Sequence, residues 1–454
     1  MKKNLKNLIN PVIFSIVVLS LIVTFYLGAY TFYYKTFPFN PSKKVEEESK
    51  IIKTNYNILK IKSYNLPNYS KYGAIDFYNK DLIYVQGNGD FYFLNNKDNQ
   101  FKFEKVISGK IPNNKEEFIQ RFKDKYGNIR MSNFFGVKDI FIDNDIIYLS
   151  SSYYEIEKDC HGLALYKTSI ESNEKLYIKE WDEIFKSEKC LKEEIHTKKR
   201  MPLASSGGRI VKLDVNNLLL SVGDYAVDGY YAKEKFSQDL SNDYGKILQI
   251  NLLTKQHKIF SYGHRNVQGL YAENENNIFA TEHGPHGGDE LNKIYRKKNY
   301  GWPLATFGTG YFDYKDNYKA GKSAASLSKW PNEITSNSHD GFEKPIYSWG
   351  PYHGVSNLIM YKSGAIDPRW KNNIFVSSLR AQTLTRMVYN RKKESIIYAE
   401  TIAIDKRIRD IIESPKGEIV LLTDQRGGAD GYNDIPELIF ISKNEELEII
   451  QVID

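Results

Sequence analysis

One short pattern returns six times along the chain: an apolar stretch, a turn of Asn, Asp or Gly, and a second apolar stretch. YGAIDFYNKDLIYVQ, VKDIFIDNDIIYLSS, GGRIVKLDVNNLLLSVGD, QGLYAENENNIFATEHG, SNLIMYKSGAIDPRWKNNIFVSS and RIRDIIESPKGEIVLLTD all fit it, with Ile75, Ile140, Ile210, Leu270, Leu358 and Ile411 at matching places. Each unit has the signature of a β-hairpin. Six similar units, spaced somewhat farther apart than minimal four-stranded blades, predict an all-β chain built as a six-bladed β-propeller with long loops. A β-sandwich with many insertions is the competing architecture, but its sheets would not require six similar units. In a propeller the inner-strand ends and connecting loops converge on one face, so motifs distant in sequence share a pocket.

Composition agrees with a β-rich chain. Tyr (34) and Phe (24) are abundant among 454 residues, β-branched residues are spread evenly, and no long amphipathic helical period follows about residue 40. The net charge of +7 is dilute, with Lys and Glu interspersed, which argues against a nucleic-acid partner.

The N-terminus predicts a membrane anchor. MKKNLKNLIN is followed by an uncharged run from Val12 to Phe32, long enough to cross a bilayer, and it closes on bulky aromatics instead of a small-residue cleavage site. A cleaved signal peptide is the alternative, and either exports the bulk of the chain. The expected organisation is a Lys-rich tip and single-pass transmembrane helix over 1–34, a polar linker over 35–55, and a propeller over 56–454 on the periplasmic or extracellular side. In an oxidising compartment Cys160 and Cys190, the only cysteines, pair most simply as a disulfide worth about 3 kcal/mol, with two buried thiols as the alternative.

Five motifs carry chemistry: GHRNVQGL (263–270), EHGPHGGDELN (282–292), NYGWP (299–303), GGR with VGD (207–209 and 222–224), and RIRD (407–410). Together they resemble the glucose/sorbosone dehydrogenase family, strongly from about Gly207 to Pro303 and in patches to Asp424. The resemblance implies a six-bladed propeller that binds pyrroloquinoline quinone (PQQ) and calcium and oxidises an aldose at its anomeric carbon. It places Arg407, Arg409 and Arg380 on the carboxylates of PQQ, with Asn266 and His283 beside the cofactor. Arg265 is implied to stabilise the quinone oxygen that gains charge, and the carbonyls of Gly284 and Pro285 to face calcium.

The residues support part of this by themselves. Arg407 and Arg409, two apart on a strand, project to one face and suit an anion, although ordinary pairing with a carboxylate such as Asp424 explains them too. Gly284, Pro285 and the Gly287–Gly288 turn suit display of backbone carbonyls to a hard cation. Reading His283, His286, Asp289 and Glu290 as a transition-metal cluster is the weaker alternative.

One position departs from the family. The resemblance implies a His base four residues before Arg209, oriented by Asp224, and this chain has Ser205 there. Serine is no base at neutral pH without help. Three readings stay open: His196 enters through a displaced loop, His353 substitutes as base, or turnover is lost and the propeller binds a glycan or protein without chemistry. The sugar and the electron acceptor are not identified by the sequence, since the insertion from 307 to 329 lies outside the recognisable motifs.

Overall fold

The computed structural model describes residues 47–444 except 56, 68–71, 98–99, 173–175, 309–338, 351–352 and 425–434. The fold is all-β with few helices. Its strands form one five-stranded, one nine-stranded and three four-stranded sheets. The nine-stranded sheet contains two meanders, joined where the short strand Leu176–Ile178 pairs in parallel with Gln100–Ser108.

Each meander begins with an inner strand: Gly73–Tyr78, Val137–Asp143, Gly207–Asp214, Val267–Asn274, Val355–Met360 and Ile408–Glu413. Every inner strand packs against the next, and Ile408–Glu413 packs back against Gly73–Tyr78, so the six form a closed ring. The last sheet is completed from the other end of the chain. Ile58–Asn65 pairs with Glu437–Lys443, and Glu47–Lys53 adds outside it, within the segment expected as a linker.

Sheets stacked face to face bury their strands on both sides, which removes the usual apolar–polar alternation. Ile374–Ser378 and Asp289–Ile294 are buried at every position. Apolar layers such as Leu219, Ile247, Phe260, Leu270 and Ile278 fill the space between neighbouring sheets.

A polar pin closes the centre of the ring. Arg209 Nη1 donates to Asp139 Oδ1 at 2.9 Å and to Asp410 Oδ1 at 3.0 Å, its Nε to the Gln268 carbonyl at 2.6 Å, and its Nη2 to the Arg409 carbonyl at 2.9 Å. Asp139 Oδ2 accepts the Ile210 N–H and Asp410 Oδ2 the Ile75 N–H, so side chains of one inner strand hold the backbone of another. Asn357 Nδ2 also donates to Asp410 Oδ1 at 2.7 Å.

Two short helices, Lys115–Tyr126 and Asn128–Phe134, interrupt the strands. Phe118 and Phe122 lie one turn apart and bury against Phe135 and Tyr154. Cys160 and Cys190 are joined by a disulfide.

The expected single-pass membrane localisation is corrected: among the described residues no helix is long and apolar enough to cross a membrane. The Val12–Phe32 run that suggested it lies outside the described residues.

Candidate active site

The inner-strand ends and the loops beside them line a cavity of about 300 Å³. Six cationic side chains line it, Lys138, Arg200, Arg209, Arg265, Arg407 and Arg409, and no carboxylate does so among the described residues. Arg209 and Arg409 are paired behind the lining with Asp139, Asp410 and Asp424, so the positive potential in the cavity comes from the cations that remain.

Arg409 reaches the cavity from the second position of its inner strand. Its Nε and Nη2 both donate to Asp424 Oδ2, the former at 3.1 Å, and its guanidinium stands 4.9 Å from the Tyr72 ring centroid. Arg407, two residues earlier, lines the same cavity and donates from Nη1 to the Leu379 carbonyl at 3.3 Å. Arg409 is thus paired with Asp424, and the side chains of Arg407 and Arg409 both line the cavity.

The turn before Val267–Asn274 supplies Arg265 and Asn266. Glu282 Oε2 accepts the Arg265 N–H at 2.9 Å, and Arg265 Nη1 donates to the His283 carbonyl at 3.2 Å. The Arg265 guanidinium lies 5.4 Å from the Trp302 ring centroid. Asn266 Oδ1 accepts the Gly207 N–H and Gln268 Nε2, both at 3.1 Å, which turns its Nδ2 toward His283 Nδ1 at 3.4 Å. His283 Nε2 lies 2.5 Å from the Val355 carbonyl, an acceptor only, so the ring proton sits on Nε2. Desolvation holds this imidazole below its usual pKa, hence neutral.

Asp224 is wholly buried behind this wall. Its Oδ1 accepts the Ala226 N–H at 2.8 Å, and its Oδ2 accepts Trp302 Nε1 at 2.7 Å. Where the resemblance implied a histidine partner for this carboxylate, an indole stands. Burial pushes the Asp224 carboxyl up to about 7, the charge of Asp228 adds to the rise, and Arg265 opposes it.

Ser205 does line the cavity, in a left-handed conformation (φ 58°) shared by Leu203 and Gly207 along one bent loop. Its carbonyl accepts the Tyr225 N–H at 3.2 Å. The loop sits tightly on its neighbour: a Cβ on Gly223 would come within 1.9 Å of the Ser205 carbonyl oxygen.

Several expected residues fall elsewhere. His353 stacks on Trp349 at 5.5 Å and approaches Thr383 Oγ1 at 3.5 Å, outside the cavity lining. His196 Nε2 bonds the Tyr225 carbonyl at 2.8 Å and is likewise outside it. Arg380 follows an inner strand's partner into an exposed turn, where its N–H bonds the His353 carbonyl at 3.2 Å. Gly284 and Pro285 are next to the cavity residue His283 but do not line it themselves. The Gly284 N–H is held by Asp289 Oδ1 at 3.0 Å, and among the described residues no group of three His, Cys, Asp or Glu is arranged for a metal.

Tyr72, Phe134, Lys138, Arg200 and Gln268 line the cavity and were not anticipated. Three of the lining residues had a readable signal. Aligned on the ring position held by Asp139, Arg209, Gly269 and Asp410, the inner strands put Lys138, Gln268 and Arg409 one residue earlier, in register with one another.

Residues 134–433 match the family model described as glucose/sorbosone dehydrogenase. The chain is 30% identical over 250 residues to the aldose sugar dehydrogenase YliI of Escherichia coli K12, covering 51% of this chain and 61% of that protein. It is 31% identical over 241 residues to the Synechocystis protein slr1608, covering 49% and 54%. The chain thus spans little more than half the length of these relatives. Among solved structures it is similar to the apo form of the E. coli aldose sugar dehydrogenase, with a TM-score of 0.60, 20% identity and coverage of 88% of this chain and all of that one. The PQQ-bound aldose sugar dehydrogenase of Streptomyces coelicolor gives a TM-score of 0.53 at 19% identity, covering 88% and 100%. At such identities the structures speak for the β-propeller fold alone. The chain belongs to the glucose/sorbosone dehydrogenase family.

Proposed function

We propose that this chain is a six-bladed propeller that binds PQQ in the cationic cavity and oxidises an aldose at its anomeric carbon. The single observation that carries the proposal is the lining itself, with six cations and no carboxylate among the described residues, which suits a planar tricarboxylate. The six inner strands closing on one another support six blades.

When bound, the quinone supplies a hydride acceptor, and aldose oxidation to the lactone releases a hydride from C1 and a proton from its hydroxyl. The chain's own residues do the rest. Arg407 and Arg409 hold the acid groups at one end of the cavity. Asn266, fixed by Gly207 and Gln268, keeps an amide N–H of settled orientation beside the cavity, and His283, fixed by Val355, holds that amide through Nδ1. Arg265, braced by Glu282 and the Trp302 face, offers a fixed cation to developing negative charge. Calcium at the Gly284 and Pro285 carbonyls is the finer part of the reading. It is supported by a turn so tight that the Gly287 and Gly288 carbonyls stand 2.0 and 2.7 Å from where a Cβ on Gly284 would be.

One observation favours a second reading, a propeller that binds its ligand without turnover. Ser205 occupies the place of the base, and neither His196 nor His353 lines the cavity. Titrating the protein with PQQ in calcium buffer, and following the cofactor spectrum, separates the parts. The proposal requires one saturable site that weakens in Arg409→Ala. A flat titration ends it.

A further inference from the structure

Asp289 opens the strand Asp289–Ile294 and is 4% exposed, yet it does not line the cavity. Three backbone N–H groups converge on its carboxylate. Oδ1 accepts Gly284 at 3.0 Å, and Oδ2 accepts Gly354 at 2.5 Å and Val355 at 3.1 Å. Gly284 belongs to the turn before the same strand, whereas Gly354 and Val355 lie 65 and 66 positions on, at the start of the next inner strand. We infer that Asp289 is a positioning residue: by fastening these two backbone segments together it fixes the ring of His283 and, through it, the amide of Asn266. The inference rests on the PQQ reading for the ligand that this pair meets.

The route is short and continuous. Val355 gives its N–H to Asp289 and its carbonyl to His283 Nε2 at 2.5 Å, so the carboxylate and the imidazole grip two sides of one residue. His283 directly precedes Gly284, whose N–H ends on the same carboxylate. Its own N–H bonds the Asn266 carbonyl at 3.2 Å, and its Nδ1 meets Asn266 Nδ2 at 3.4 Å. The left-handed backbone of Gly354 (φ 65°) brings two successive N–H groups to one oxygen. The 353–355 loop is held from its far side as well, where the Leu379 N–H bonds the Gly354 carbonyl at 2.7 Å and the Arg380 N–H the His353 carbonyl at 3.2 Å.

A junction of three donors suits a carboxylate, which accepts at both oxygens and makes stronger hydrogen bonds than a neutral acceptor. An amide in its place has one oxygen, and its NH2 faces an N–H donor on whichever side that oxygen leaves. One of the two segments then comes loose.

The test compares Asp289→Asn with Asp367→Asn in the full-length protein. Asp367, also 4% exposed, accepts the Arg369 N–H and Asn57 Nδ2, both at 2.8 Å, outside the cavity lining, so its variant loses a like carboxylate without touching His283. Nitrogen-15 NMR of histidine-labelled protein, assigned with His283→Gln, reads the ring directly: the wild type should show one neutral tautomer with the proton on Nε2. Asp289→Asn is expected to replace that signal by a mixture of tautomers. It should also bind PQQ, in calcium buffer, roughly tenfold or more weakly, since a hydrogen bond to a charged group contributes about that much. Asp367→Asn should change neither. If Asp289→Asn fails to fold, Asp289→Glu keeps the charge, moves the oxygens and reads the same two quantities.

An Nε2–H signal that is absent from the wild type, survives in the Asp289 variant or is lost equally in Asp367→Asn overturns the inference. Mixed tautomers with wild-type PQQ affinity keep the positioning role and remove His283 and Asn266 from the cofactor. A wild type that binds no PQQ ends the dehydrogenase reading, and the NMR signal still decides the role of Asp289.

Discussion

Replacing Arg209 by Met takes the cation out of the central ring and leaves its carboxylates behind. Asp139 and Asp410 are 8% and 1% exposed at their side chains, so neither can turn to water. Removing one partner of a buried ion pair while the other stays costs about 3–5 kcal/mol, and here four hydrogen bonds to three inner strands, one of them to the Gln268 carbonyl, go at once. Taking about 4 kcal/mol, the folded-to-unfolded ratio falls roughly a thousandfold. Urea unfolding followed by far-ultraviolet circular dichroism at pH 8 and pH 5.5 measures it. The pH dependence has a definite sign. Burial already raises the Asp139 carboxyl to about 7, Arg209 opposing, so without Arg209 it rises further above its unfolded value. A group with a raised folded pKa gives stability that is present in acid and lost as pH increases, so the gap between wild type and variant must narrow at pH 5.5. Adding Asp139→Asn and Asp410→Asn to the variant should recover part of the loss at pH 8. A loss below about 1 kcal/mol at pH 8, or a gap that widens in acid, refutes the reasoning.

Three further outcomes are expected. Trp302→Phe removes the indole donor from Asp224 and should cost about 1–3 kcal/mol, more at pH 8 than at pH 5.5 because the Asp224 pKa moves further up; equal losses in urea unfolding at the two pH values contradict this. Cys160→Ser with Cys190→Ser opens a link across 30 residues and should lower stability by about 3 kcal/mol, measured against the wild type without reductant; an unchanged urea midpoint goes against it. Gly223→Ala puts a methyl 1.9 Å from the Ser205 carbonyl, so the Ser205 loop must move, and a PQQ titration should show weaker binding; unaltered affinity would mean that this loop does not shape the site.

The repeat was legible because each hairpin carries its turn residues and its apolar flanks in a short window. The family motifs were legible for a different reason: GHRN and EHG stand beside each other through Glu282, which accepts the Arg265 N–H and pairs with His264, a contact that fixes both residue identities and spacing. What was not legible depends on the third dimension. Arg380 was assigned to the cofactor from its place in the chain, but it lies next to Gly354 in a turn where Gln382 has φ 60°, and its side chain is exposed. His353 was a candidate base on the strength of its type, and its ring stacks on Trp349 outside the cavity lining. The helix Lys115–Tyr126 was missed because it buries only Phe118 and Phe122 within a highly charged segment. Trp302 was quoted within a motif without a role, since nothing local indicates that its indole reaches Asp224 across 78 positions.

The most direct measurement of the central claim is the absorbance of bound quinone after mixing the PQQ-loaded protein, anaerobically, with a panel of neutral and acidic aldoses. The account requires that at least one of them reduces the bound cofactor, and that Ser205→His increases the rate. A cofactor that stays oxidised with every aldose, in the wild type and in Ser205→His alike, contradicts it.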